Sequence, residues 1–150
     1  MLCGIPTSGK SSYYLDSIEC FDDYIVLSTD IYIDNYAAEL GKTYDEVFPE
    51  AITKATANLE QEMRRAFRSE RNVLWDQTNL TLKARKWKLS KVPSFYYTEA
   101  IWFDISLEDA MIRNQERPGK IIPPNVLKSM HESFVRPTIE EGFNFVRRGY

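Results

Sequence analysis

Gly4-Ile5-Pro6-Thr7-Ser8-Gly9-Lys10-Ser11 reads G-x-x-x-x-G-K-S, and this octapeptide decides the fold. The pattern is that of a phosphate-binding loop. Its two glycines let the backbone curl into a ring of inward-facing N–H donors. Lys10 brings a positive charge to the outer phosphates, and the Ser11 hydroxyl is placed to ligate Mg2+. The positive end of the helix that follows completes the anion site. Gly4, Pro6, Thr7, Ser8, Gly9, Lys10, Ser11 and Ser12 are therefore the expected nucleotide-binding residues. Such a loop normally follows a buried strand. Only Met1-Leu2-Cys3 precede it, so either that strand is curtailed or upstream residues extend it.

Outward from the loop, short β-branched or aromatic runs alternate with longer helical ones, the pattern of a parallel sheet with crossover helices. Helix is expected from Ser11 to about Ile18, and a buried strand at 24–28 with Thr29-Asp30 at its carboxyl end. Gly41-Lys42-Thr43 is a break, and Thr43 with Glu46 has capping-box spacing. Pro49 is read as opening a long helix to about Glu70, because Ile52, Ala55, Leu59, Met63, Ala66 and Phe67 recur at spacings of three and four. A strand at 72–76 ends in Asp76, and Thr81 starts a basic helix that stops near Val92-Pro93. A strand at 99–104 precedes a helix capped by Ser106. Pro123-Pro124 start another helix to about Val135, and 143–146 reads as a last strand. The expected fold is an α/β three-layer sandwich of the P-loop NTPase type, with a central parallel sheet of four to five strands, helices on both faces and a helical lid at about 113–123.

A chain of 150 residues, 43% of them hydrophobic, suits one domain over 1–150 that buries roughly 70% of its unfolded surface. No apolar run approaches the ~20 residues that span a bilayer, and no leader-like segment precedes the loop, so a soluble cytoplasmic protein without membrane contacts is expected. Cys3 and Cys20 are too few for a disulfide framework and are not spaced as a metal site, which implies reduced thiols. His131 is the only histidine. Clustered His ligands are thereby excluded, a hydrolase triad has no Gly-x-Ser-x-Gly elbow to stand on, and His131 reads as structural or solvent-facing.

In an open parallel sheet, ligands sit beyond the carboxyl ends of the strands. Asp30, Asp76 and the phosphate loop all occupy such ends and should converge. Asp30 is then placed to take a proton from an incoming hydroxyl, and Asp76 to hold magnesium through water beside Ser11. The plainer reading of either is a capping or turn carboxylate. Phosphoryl transfer also calls for a cation on the migrating group. Arg113 and Arg117 face the same way if the helix carrying them persists. Pro118 and Gly119 then punctuate a segment able to hinge as a lid. Arg117 is expected on the donor phosphates, with Arg113 and Lys120 in support. An ordinary charged helix end is the alternative.

The net charge of −3 hides an asymmetry: residues 1–63 carry 12 acids and 3 bases, whereas 64–91 carry 2 acids and 9 bases. The basic block is Arg64, Arg65, Arg68, Arg71, Lys83, Arg85, Lys86, Lys88 and Lys91 around Trp87. It suits a nucleic-acid backbone with Trp87 as a stacking surface, although a solvated helix face is the commoner origin of such runs.

From residue 4 to about 135 these segments resemble the kinase domain of polynucleotide 5′-hydroxyl kinases of the bacteriophage T4 type. The phosphate loop matches, Asp30 falls at the family's general base, and Asp76-Gln77-Thr78-Asn79-Leu80 is similar to its Asp-Thr-Asn-Leu segment with one residue inserted. Arg113-Asn114-Gln115-Glu116-Arg117 through Val126-Leu127-Lys128-Ser129-Met130 resembles its lid and the helix after it. The resemblance implies ATP with Mg2+ as donor, the 5′-hydroxyl end of DNA or RNA as acceptor, Arg117 as lid arginine, an end-repair role and a viral origin in host cytoplasm. Ile33 stands where the family carries an arginine that contacts acceptor phosphate. No Asp-x-Asp-x-Thr motif is present, so 3′-phosphatase activity is not expected. Two other readings stay open: a phosphate-loop kinase of a small hydroxyl acceptor such as a nucleoside, metabolite or antibiotic, and a non-catalytic nucleotide-binding module.

Overall fold

The computed structural model describes residues 1–17 and 23–150. In chain order it contains β1 (Leu2–Cys3), α1 (Lys10–Ser17), β2 (Tyr24–Leu27), α2 (Thr29–Leu40), α3 (Tyr44–Arg68) and β3 (Asn72–Trp75). There follow α4 (Leu82–Leu89), β4 (Glu99–Trp102), α5 (Leu107–Gln115), α6 (Pro124–Ser133), a 3-10 turn (Ile139–Glu141) and β5 (Phe145–Arg148). Ile18 and Cys20 lie outside the described residues. Among those described, no helix is long and apolar enough to cross a membrane.

Among the described residues every strand pairing is parallel, as crossover helices between successive strands require. The expected single sheet of four to five strands is not formed as one continuous ladder. Three strands pair in the order β1-β4-β5, and β2 pairs separately with β3. One bridge, Leu2 to Asp76, joins the two sheets. The cause is the brevity of β1. It spends its two residues on β4, opposite Ile101 and Trp102. On its other side the Asn79 side-chain amide donates to the Leu2 carbonyl at 2.6 Å, and the Gly4 N–H reaches the Thr78 carbonyl at 2.9 Å. A loop amide and a side chain thus replace the ladder.

Alternation along the strands puts helices on both faces. Leu2, Leu74, Ile101 and Phe103 pack with Tyr13 and Tyr14 of α1. On the opposite face, Cys3, Ala100 and Trp102 meet Leu89 and Phe143, while Leu27 and Trp75 meet Leu59 and Met63 of α3. Burial pushes the Cys3 thiol up to about 11, so it is an inert core group.

The last strand is Phe145–Arg148 rather than 143–146, and two earlier stretches also differ from the sequence reading. The stretch after Asp30 is helix α2, ended by Gly41 at φ 63, with the Lys42 N–H closing onto the Ala37 carbonyl at 2.9 Å. Ile33 and Ala37, one turn apart, press onto Val47, Ala51 and Ala55 of α3. The long helix starts at Tyr44, before Pro49. Thr43 Oγ1 accepts from the Glu46 N–H at 3.4 Å and Glu46 returns a carboxylate to the Thr43 N–H at 2.7 Å, which completes the box that starts a helix. Pro49 sits exposed in the second turn.

Candidate functional site

The loop between β1 and α1 owes its shape to three backbone positions. Thr7 and Gly9 hold φ 68 and 93. A Cβ on Gly4 would lie 2.7 Å from Ser8 Oγ and 3.1 Å from the Phe103 carbonyl, so only glycine fits there. Ser8 Oγ is buried without a hydrogen-bond partner among the described residues. The first turn of α1 carries no acid, which leaves its amides to an anion. Pro6 is half-buried in the turn, and Ser12 is exposed one residue beyond Ser11.

Lys10 is 8% exposed, and its Nζ donates to the carbonyls of Gly4 at 3.0 Å and Ile5 at 2.8 Å. Burial lowers its pKa to about 8, while Asp76 and Asp30 act in the opposite sense and Arg117 lowers it further. All three groups are therefore near enough to act on the ammonium. The carboxyl end of β3 meets the loop directly, through Asp76 and Ser11.

Ser11 Oγ stands 3.5 Å from Asp76 Oδ2. The Tyr14 hydroxyl also donates to Asp76. Burial raises the Asp76 carboxyl above the usual range, and Lys10 opposes that shift. Among the described residues no cluster of three or more His, Cys, Asp or Glu could hold a metal. Magnesium needs less, because it is commonly held by one or two carboxylates together with substrate phosphates and water. A hydroxyl and a carboxylate facing each other beside an amide-lined loop are an all-oxygen donor pair of that kind, and the residues present fit the ion.

Asp30 lies in the first turn of α2. Its Oδ1 accepts from the Tyr44 hydroxyl at 2.8 Å, and its Oδ2 stands 3.4 Å from Lys120 Nζ. Lys120 binds Asp34 more closely, at 2.8 Å, and lies 4.2 Å from the centroid of the Tyr44 ring. Burial and the Asp30 carboxylate together drive the Tyr44 phenol well above its ordinary value.

The segment after α5 corrects two expectations. Its residues beyond Gln115 are not helical, because α5 ends there with Glu116 as its cap. Pro118 disfavours the helical region at Arg117, so the two arginines do not share a helix face. Arg113 donates to the Thr7 carbonyl at 3.2 Å and braces the loop from α5. Lys120 Nζ stands between the Asp30 and Asp34 carboxylates. The segment is docked on the start of α3: the Asp45 N–H donates to the Gly119 carbonyl at 2.9 Å and the Ile121 N–H to Asp45 Oδ2 at 3.1 Å. Gly119, at φ 74, passes so close to Thr43 that a Cβ would sit 2.9 Å from the Thr43 Cβ.

On the other side of the loop lies a cleft of about 880 Å3, bordered by Ser8, Gly9, Ser12, Asp104, Asp109 and Arg113. His131 borders it too, with Nε2 3.2 Å from the Ile105 carbonyl.

The basic block divides. Arg85 is fully buried, forked onto Glu141 through two bonds of 2.7 Å and donating to the carbonyls of Asn79, Leu80 and Val135. Lys88 is buried against Asn79 Oδ1, and burial lowers its pKa to about 8. These two cations hold α4 to the loop after β3 and leave the surface patch. Three residues of weight were not singled out from sequence. For Tyr44 and Asp34 no pattern announces a contact with Asp30 or Lys120. Asn79, at φ 49, carried a signal only through the quoted Asp76-to-Leu80 segment.

A family model described as an AAA domain matches residues 1–137, from β1 through the loop, both carboxylates and the 117 segment. The chain therefore belongs to that AAA-domain family, a P-loop NTPase-like group that includes kinases.

Proposed function

We propose that the chain, acting as one domain, transfers the γ-phosphoryl group of ATP to the 5′-hydroxyl end of a DNA or RNA strand. The observation that supports this reading is the phosphate loop with Ser11 facing Asp76 at 3.5 Å, beside an Asp30 carboxylate held by Tyr44 and Lys120. The loop amides and Lys10 would bind the donor phosphates, Ser11 and Asp76 the magnesium, and the cleft beside Ser12 the nucleoside. Bound magnesium supplies charge neutralisation at the phosphates.

Asp30 accepts the proton of the acceptor hydroxyl as its oxygen bonds to the γ-phosphorus and the bond to the β,γ-bridging oxygen breaks, releasing ADP. Tyr44 holds Asp30 Oδ1 in place, and a carboxylate oxygen with two acceptor positions retains room for the hydroxyl. Arg117, half-buried in the segment after α5, supplies positive charge as negative charge spreads over the migrating group.

A second reading, a small hydroxyl acceptor, is favoured by one observation. Ile33 is fully buried in the α2–α3 core, so that position offers an acceptor phosphate no cation, and the Asp34 carboxylate lies next to it. The test is transfer of labelled γ-phosphate to a panel of 5′-hydroxyl RNA, DNA, mononucleotides and nucleosides, with Asp30→Asn and Arg117→Ala as controls. Labelling of oligonucleotides supports the first reading. Labelling of nucleosides alone replaces it with the second, and nucleotide binding with no labelled acceptor leaves a binding module.

A further inference from the structure

We propose that the groove between the carboxyl-terminal half of α3 and α4 is a docking surface for single-stranded nucleic acid, separate from the phosphate loop. The groove has a volume of about 400 Å3 and is lined by Met63, Phe67 and Trp87, with Arg64, Arg68, Lys91 and a single acid, Glu60, at its rim. Met63 is buried and Phe67 half-buried, so the floor is apolar, whereas Trp87 is 46% exposed and presents its indole to solvent.

The charge is arranged around that ring. Arg64 and Arg68 are one turn apart on α3, and Lys91 Nζ lies 5.4 Å from the centroid of the Trp87 ring. With Arg85 and Lys88 withdrawn into the interior, seven exposed bases remain between residues 64 and 91. Glu60 pairs with Arg64 at 3.6 Å and Glu62 with Arg65 at 3.4 Å. Among the described residues Arg68, Arg71, Lys83, Lys86 and Lys91 have no carboxylate within ion-pair distance. A cationic rim over an apolar floor with one open indole suits a strand that offers phosphates and flat bases together. An acidic peptide would satisfy the rim but leave the ring unstacked.

The groove is distant from the proposed base. Twenty residues of α3 separate Arg64 from Tyr44, about 30 Å of helix at 1.5 Å per residue. A strand touching both places would need about nine nucleotides at a rise of 3.4 Å. The proposal does not rest on Asp30 being a base, and the probe keeps the two questions apart.

The experiment is fluorescence anisotropy of a 5′-phosphorylated, 3′-fluorescein-labelled dT20, which has no 5′-hydroxyl to accept phosphate, at 50 and 200 mM KCl. Contact with four phosphates predicts a log–log salt slope near −3, a loss of about 50-fold in affinity over that range. Trp87→Ala should weaken binding about 5- to 100-fold. Arg64→Gln with Arg68→Gln should flatten the slope by about 1.4. Lys10→Met should leave the isotherm unchanged. Trp75 and Trp102 are 4% and 8% exposed, so saturable quenching of the intrinsic emission by unlabelled dT20 reports Trp87. Absence of binding, equal affinity in the folded Trp87 and arginine variants, or equal displacement by poly-glutamate would each overturn the proposal. Transfer failing while dT20 still binds would remove the kinase reading alone.

Discussion

The Tyr44 hydroxyl donates to Asp30 Oδ1 across 2.8 Å, tying the first residue of α3 to the first turn of α2. Tyr44 thereby aims the proposed base from a second helix, and its ring is itself covered by Lys120. Tyr44→Phe keeps the ring and removes the bond. A hydrogen bond to a charged group is worth about 1.5–3 kcal/mol, so kcat is expected to fall about tenfold or somewhat more, with the KM for ATP unchanged. Steady-state kinetics that raise KM and spare kcat would place Tyr44 in nucleotide binding.

Lys10 makes donor binding depend on pH. Its folded pKa, about 8, lies below the ordinary 10.5 because burial disfavours the cation. Below 8 the ammonium is already present. Between 8 and 10.5 the free side chain is neutral, and binding an anionic phosphate draws a proton onto it. Affinity is therefore full below about 8 and weakens above it, by about tenfold at pH 9. Calorimetry at pH 9 in two buffers of different ionisation enthalpy should show proton uptake approaching one, lost in Lys10→Met. The same shift bears on stability with the opposite slope. The unfolded chain binds more protons between 8 and 10.5, so Lys10 and Lys88 make the fold more stable as pH rises through that window.

Arg85 and Glu141 form a buried forked pair with every guanidinium nitrogen engaged. Glu141→Gln leaves the buried cation without its counter-charge, and Arg85→Met strands three carbonyls and a carboxylate. Each should cost about 3–5 kcal/mol in urea unfolding. The double replacement Arg85→Met with Glu141→Leu should cost less than the two singles summed, because no unpaired charge remains.

Asn79 closes the gap that the short β1 leaves. Its amide donates to the carbonyls of Leu2 at 2.6 Å and Gln77 at 3.1 Å, and its Oδ1 receives Lys88. Asn79→Ala would leave the Leu2 carbonyl and the Lys88 ammonium unsatisfied and put alanine at a positive φ. A loss of about 2–4 kcal/mol is expected. Nucleotide affinity should fall as well, because the Leu2 carbonyl anchors the strand that feeds the loop; intact affinity at normal stability would contradict this role.

Much of this arrangement was legible in the chain because it depends on local pattern. The octapeptide from Gly4 to Ser11, the Thr43–Glu46 box and the acids ending two apolar runs all point to features the fold displays at those positions. α2 was not legible. Ile33 and Ala37 are one turn apart, but the intervening acids and tyrosines mask their period, and only packing on Val47 and Ala51 reveals it. The shared helix face expected of Arg113 and Arg117 failed at Pro118, which disfavours helix at Arg117. Arg85 and Lys88 looked like surface charges because a basic run carries no mark of which members have a buried carboxylate or amide waiting for them. The partition of the sheet turns on the same kind of long-range fact, a side chain at 79 substituting for a ladder at residue 2.

The most direct measurement is single-turnover transfer of labelled γ-phosphate by Asp30→Asn beside the unaltered protein, with Mg2+–ATP affinity determined on the same samples. Loss of the proposed base should slow transfer about 100- to 10,000-fold while ATP affinity is kept. Transfer by Asp30→Asn at the rate of the unaltered protein would contradict the account.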